Sequence, residues 1–298
     1  MNKKRIKNYI NTLTPHRRAC LMLLVFFVLF SVSSKIFSLI PGNSYIATAL
    51  SLALPVILTT GLYIYIRPLQ ATAFLHIKKI SLSHFFLWFF LGICANATLA
   101  VISIPLNKLL SGFFSLPQTV VAPKSFGEYL VGVLCIAIVP AIFEEVFCRG
   151  VILYEYKRYG ARFAIIASAL AYLVLHNSVT SAFSILILGL ALGFVALCTD
   201  SLVPSMIFHF SVNFFSLTMG YVSESIIPAH LQAEFALALN LIFIFLSLTF
   251  VLVWLSVAPQ GIKKFERQER KERPKLDFSF SLIIIILIYV LTQILNFI

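Results

Sequence analysis

Two adjacent glutamates, Glu144 and Glu145, lie inside the long apolar stretch 130–153. An ionisable side chain at membrane depth costs several kcal/mol unless it is paired or lines a wet cavity, so it is a functional candidate by default. Of the eleven carboxylates in the chain, the other nine read as loop or span-edge residues. Arg149 follows Glu145 by one helical turn and can neutralise one carboxylate of the pair. Two carboxylates and one guanidinium cannot all ionise comfortably in a low dielectric, which leaves the second Glu with the character a general base needs. Pro140 sits one turn before Glu144, where it should kink or open the helix.

Two further groups could serve the same site. His176 closes an apolar run, with Tyr172 one turn earlier on the same face and Asn177 beside it. His209 lies in another apolar run, with Asn213 one turn later, so both side chains point in one direction. A lone intramembrane His is usually a hydrogen-bonded packing residue. Two of them, each with a polar neighbour and accompanied by a double Glu, favour catalysis. His16, His76, His84 and His230 fall in loops or at interfaces and need no role. Measured from the nearest turns at 1.5 Å per residue, Glu145 is about 17 Å deep, His176 about 23 Å and His209 about 12 Å, a mismatch that only tilt or a dipping turn removes.

The elements that must hold these groups are membrane helices. Apolar residues make up 60% of 298 positions and charged ones 11%, against about a quarter charged in soluble domains. The net charge of +12 comes from short basic runs between apolar stretches, which argues against nucleic-acid binding and for loops on an anionic cytoplasmic leaflet. At about 20 residues per span, nine candidates emerge: 20–40, 44–66, 84–106, 127–149, 162–178, 180–199, 202–222, 234–257 and 278–297. The 162–178 span is short, and it or its neighbour could be partly re-entrant, so the expectation is an all-α bundle of about eight or nine helices. The first span, behind Lys3, Lys4, Arg5, Lys7, Arg17 and Arg18, reads as an uncleaved signal anchor. Basic residues in the arm and in loops 67–83, 150–162 and 258–277 set the N-terminus in the cytoplasm and the C-terminus outside. Lys108 and Lys124 are the exceptions. Three parts follow: an arm with three helices (1–124), a core (125–222), and C-terminal helices (223–298) joined by the charged linker 258–277. Cys20, Cys94, Cys135, Cys148 and Cys198 have no paired spacing and read as packing residues.

The run Glu144-Glu145-Val-Phe-Cys-Arg149 resembles the E-E-x-x-x-R motif of the CPBP family, the CAAX proteases and bacteriocin-processing enzymes also called Abi. Tyr172-Leu-Val-Leu-His176 is similar to its aromatic-x-x-x-His motif, with Tyr172 in place of the usual Phe, and His209-Phe-Ser-Val-Asn213 to its third. The resemblance covers about 125–220. It implies a membrane-embedded endopeptidase, in a bacterial inner membrane, acting on a prenylated, leader or sorting-tail peptide. Glu144 or Glu145 would activate water with His176, while His209 and Asn213 stabilise the oxyanion. Helical spacing favours Glu145 as the Arg149 partner and Glu144 as the base. A metal-free mechanism is preferred, since the H-E-x-x-H spacing is absent. Zn²⁺ on Glu144, Glu145, His176 and His209 is the alternative. The competing functions are a non-catalytic immunity or scaffold protein of the same family, and a transporter or proton relay.

Overall fold

Thr14 starts the first long helix: its hydroxyl accepts from the Arg17 amide at 3.3 Å, and Pro15 takes the first helical position, where a missing N–H costs nothing. The computed structural model describes residues 8, 10–39, 44–67, 75–110, 122–176, 178, 181–266 and 279–297. Within these, the helices are α1 (Pro15–Ser38), α2 (Ser44–Ile66) and α3 (Leu82–Leu110), then α4 (Phe126–Tyr159), α5 (Ala161–His176) and α6 (Ala182–Thr199). They continue with α7 (Leu202–Ile226), α8 (Gln232–Glu266) and α9 (Phe280–Phe297). The described residues contain no strand. That is the outcome lipid demands of apolar segments that must satisfy every backbone group within themselves.

The chain is an all-α polytopic bundle, with seven helices among the described residues long and apolar enough to cross a membrane. Two shorter apolar helices, Ala161–His176 and Phe280–Leu291, bring the apolar segments to the nine read from the sequence. Boundaries shifted in two informative places. The first helix begins at Pro15, five residues before the expected 20, and the 127–149 span continues to Tyr159. The N-terminal arm before residue 8, the 111–121 part of the long loop and the 267–278 part of the charged linker lie outside the described residues, as does Asn177.

α1 packs between α2 and α9, α3 runs along α7 and α8, and α5 pairs with α6. α4 touches α2, α5 and α7 and so stands at the centre. Gly92 lets α3 approach α7 closely, because a Cβ there would fall 2.5 Å from the Phe208 carbonyl oxygen. On the outside, α8 presents Leu241, Phe245, Leu248 and Leu252 outward, the surface expected to meet lipid.

The extra length of α4 matters because it carries Glu155. Treated above as an edge residue, Glu155 is fully buried. It accepts from Arg18 Nη2 at 2.9 Å, from Tyr63 Oη at 2.6 Å and from Arg67 Nη1. His16, also taken for an interfacial residue, is buried against the Tyr156 hydroxyl at 2.9 Å. One carboxylate thus ties the ends of α1, α2 and α4 together. Nearby, Asp200 stands in the left-handed cap after α6 (φ 49°) and pairs with Lys78 at 2.7 Å, Lys157 at 3.3 Å and His76 at 3.6 Å. Arg17, Arg18, Arg67, Lys78, Lys79, Lys157, Arg158 and Arg162 therefore gather at one end of the bundle.

Removing one partner of a buried ion pair typically costs about 3–5 kcal/mol, so Glu155→Gln should lower the thermal unfolding midpoint in detergent sharply. Asp200 behaves differently. Burial would raise its carboxyl, but the Lys78 hydrogen bond and the charges of Lys157 and His76 outweigh that and hold it below its ordinary 3.8. A depressed folded value gives stability that is present above the ordinary value and lost as acid protonates the group. The side chain is 43% exposed, so Asp200→Asn should cost about 1 kcal/mol or less at neutral pH. The difference from wild type should vanish on titrating to acid, read from unfolding midpoints across pH.

Candidate active site

Local backbone geometry presents the two glutamates. α4 is not uniform: π-helical turns cover Val133–Ile138 and Val146–Leu153, and the α-helical turn Val139–Glu145 lies between them. Pro140 stands at the start of that turn, directly after the first wide segment. A proline has no N–H to give, so the backbone changes register there instead of breaking. Neighbouring residues point about 100° apart on a helix, so the two carboxylates face different surroundings.

Glu145 faces inward and is fully buried. Its Oε1 accepts from Arg149 Nη1 at 2.7 Å and from His209 Nδ1 at 3.2 Å. Arg149, 2% exposed, also donates from Nη2 to the Gly189 carbonyl at 2.9 Å and lies 4.9 Å over the Tyr172 ring. Gly189 keeps that crossing close, since a Cβ would stand 3.1 Å from Ala169 Cα and 3.3 Å from Tyr172 Cδ1, and those neighbours would have to give way. No side-chain pattern could have revealed this partner, because the group that bonds is a backbone carbonyl.

Glu144 faces a cavity of about 1140 Å³ together with His176, His209 and Asn213. His176 Nδ1 is 2.9 Å from the Tyr172 carbonyl, which can only accept, so Nδ1 carries the hydrogen. His209 Nδ1 likewise donates to the Arg149-paired Glu145, leaving Nε2 to accept from the Tyr172 hydroxyl at 3.2 Å. Both Nε2 atoms then lie near Glu144 Oε2, His176 at 3.7 Å and His209 at 3.8 Å. Among the described residues Glu144 Oε2 is itself buried without a hydrogen-bond partner.

The three motifs therefore meet, despite the depth mismatch counted along the sequence. The Lys157–Asp200 pair levels the ends of α4 and α6. From that level Glu145 is twelve residues away (157 − 145) and His209 nine (209 − 200), a gap of about 4.5 Å at 1.5 Å per residue. Wide turns in α4, helix tilt and side-chain length cover it.

Of the four residues named for zinc, Glu145 has its Oε1 engaged by Arg149 and His209. Among the described residues no three or more His, Cys, Asp or Glu side chains are grouped to hold a metal ion. Chemically, what remains is a carboxylate oxygen between two imidazole nitrogens, with a carboxamide beside them at the base of a cavity.

Residues 126–215 match the family model described as "Type II CAAX prenyl endopeptidase Rce1-like". No curated protein and no solved structure matches the chain.

The ion pair and the cavity carboxylate should separate in mutagenesis. Arg149→Met strands a buried Glu145 and should cost about 3–5 kcal/mol. Adding Glu145→Leu to Arg149→Met should recover much of that loss, since a buried pair replaced by apolar residues is often neutral. Unfolding midpoints of the two singles and the double check it.

Proposed function

We propose that this chain, whose residues 126–215 match the Rce1-like family model, is an intramembrane endopeptidase of the CPBP type in which Glu144 activates water. The observation that carries the reading is the placement of Glu144 Oε2 within 3.8 Å of both imidazole Nε2 atoms at the cavity base. Those separations exceed a direct hydrogen bond, yet one oxygen can bridge them with contacts of about 2.6–3.2 Å. Glu144 accepts a proton from that water as its oxygen attacks the scissile carbonyl carbon. Asn213, and His209 when doubly protonated, donate to the oxyanion of the tetrahedral intermediate. The C–N bond then breaks, and the proton passes from Glu144 or His176 to the leaving amine. Glu145 and Arg149 stay out of the proton transfers and orient His209.

The N-terminus is cytoplasmic in this reading, because the basic end of the bundle follows the positive-inside rule. The substrate is a membrane-associated peptide, in keeping with the family description and the depth of the site. Glu144→Gln should lower the cleavage rate by about 10²–10⁴-fold, the usual worth of a general base, with an unfolding midpoint close to wild type. Prenylated, leader and sorting-tail peptides assayed with purified protein in detergent, with and without chelator, provide the measurement. Equal cleavage by wild type and Glu144→Gln would sink the mechanism. Loss with chelator, restored by Zn²⁺, would move water activation to a metal.

A further inference from the structure

The cavity is not symmetric between the two ends of the bundle. From Glu144, His176 and His209 its lining continues to Ser38, Ser44, Ala122, Gly220 and Glu224. These residues stand where α1 ends, α2 and α4 begin and α7 ends, which is the end remote from the basic cluster. Toward the basic end the way is closed by the buried Glu155 network and the Asp200 clamp. α5 is short: 16 residues, about 24 Å at 1.5 Å per residue. It stops at His176, which is part of the cavity floor.

One wall has a distinct chemistry. Ser34 and Ser38 of α1, with Ser44, Thr48 and Ser51 of α2, line it beside Phe30, Phe37, Ala47 and Leu52 of the same helices. Ser38, Thr48 and Ser51 donate their hydroxyl hydrogens to their own helices, at the carbonyls of Lys35, Ser44 and Ala47. Each keeps lone pairs that can accept from another N–H. A row of acceptors suits the amides of an extended polypeptide.

We propose that the cavity is an entry vestibule that receives an extended polypeptide segment from the extracytoplasmic face, so the substrate is a membrane-bound chain already exported. This rests on the peptidase reading and on the cytoplasmic orientation of the basic end. From His209 to Gly220 the vestibule runs eleven residues along α7, about 16 Å. An extended chain rising about 3.3 Å per residue needs about five residues to reach the site from its mouth. The scissile bond therefore lies some five residues inward of the point where the substrate enters.

The test is cysteine labelling with a membrane-impermeant maleimide. Ser44→Cys and Thr48→Cys probe the mouth, Lys79→Cys the basic end, and wild type controls for Cys20, Cys94, Cys135, Cys148 and Cys198. The expected result is labelling of Ser44→Cys and Thr48→Cys on intact cells, several-fold above wild type, with Lys79→Cys labelled only in inverted vesicles. The reverse pattern overturns the proposal and assigns the vestibule to a cytoplasmic lipidated peptide. No labelling of the mouth from either side overturns it too, because the vestibule is then closed. Cleavage in detergent has no sidedness, so the peptidase reading stands or falls separately.

Discussion

The buried pairing of Glu145 with Arg149 is the constraint on which the other contacts of the site depend. Arg149 has been taken out of water, so its guanidinium must find fixed partners, and it finds them on three elements. It bonds Glu145 on its own helix and the Gly189 carbonyl on α6, and it lies over Tyr172 of α5. Glu145 extends the chain of contacts to His209 on α7. A pair of this kind adds little net stability, because desolvation offsets most of the Coulomb attraction. What it supplies is a set of contacts that joins α4, α5, α6 and α7 at one level. With Glu145 committed inward, its neighbour is left facing the cavity without an arginine of its own.

The residues of the site were legible because each is polar in an apolar background. Glu144, Glu145, Arg149, His176, His209 and Asn213 stand out from lipid-compatible sequence, and helical spacing says which can share a face. Their meeting was less legible, since depth counted along straight helices set His209 apart. The second buried carboxylate was misread for a related reason. Glu155 follows the last apolar residue of 130–153, and a hydropathy window ends there, whereas the helix continues to Tyr159. Its partners Arg18 and Arg67 come from segments that look like ordinary basic flanks. Arginines near a membrane surface usually face lipid headgroups, and a sequence does not distinguish those from arginines turned inward onto a carboxylate. Gly189 was illegible in principle, because neither its carbonyl nor its closeness to Ala169 leaves a mark on residue type.

The fold divides labour between its inner and outer helices. α4 to α7 hold every polar group of the candidate site, with close approach of α6 to α5 at Gly189 and of α3 to α7 at Gly92. α8 and α9 lie at the periphery and meet lipid with leucine, isoleucine and phenylalanine. Rigidity in the first group and solvation by lipid in the second are separate requirements. The composition reflects both, with small residues where helices touch and 29 phenylalanines in the whole chain.

The π-helical turns of α4 carry a consequence for rotational phase. Glu145 and Glu155 are ten residues apart (155 − 145) on one rod, with the wide segment Val146–Leu153 between them. Each is clamped at its own level by other helices, Glu145 by His209 and Glu155 by Arg18 and Arg67. A rod held at two points cannot spin, so the angle at which Glu144 meets the cavity is dictated from the membrane surface as well as from the site. The wide segment acts as the spacer that matches the two angles. A residue gained or lost within it would turn one clamp by about 100° against the other, leaving the helix intact and its two halves out of step.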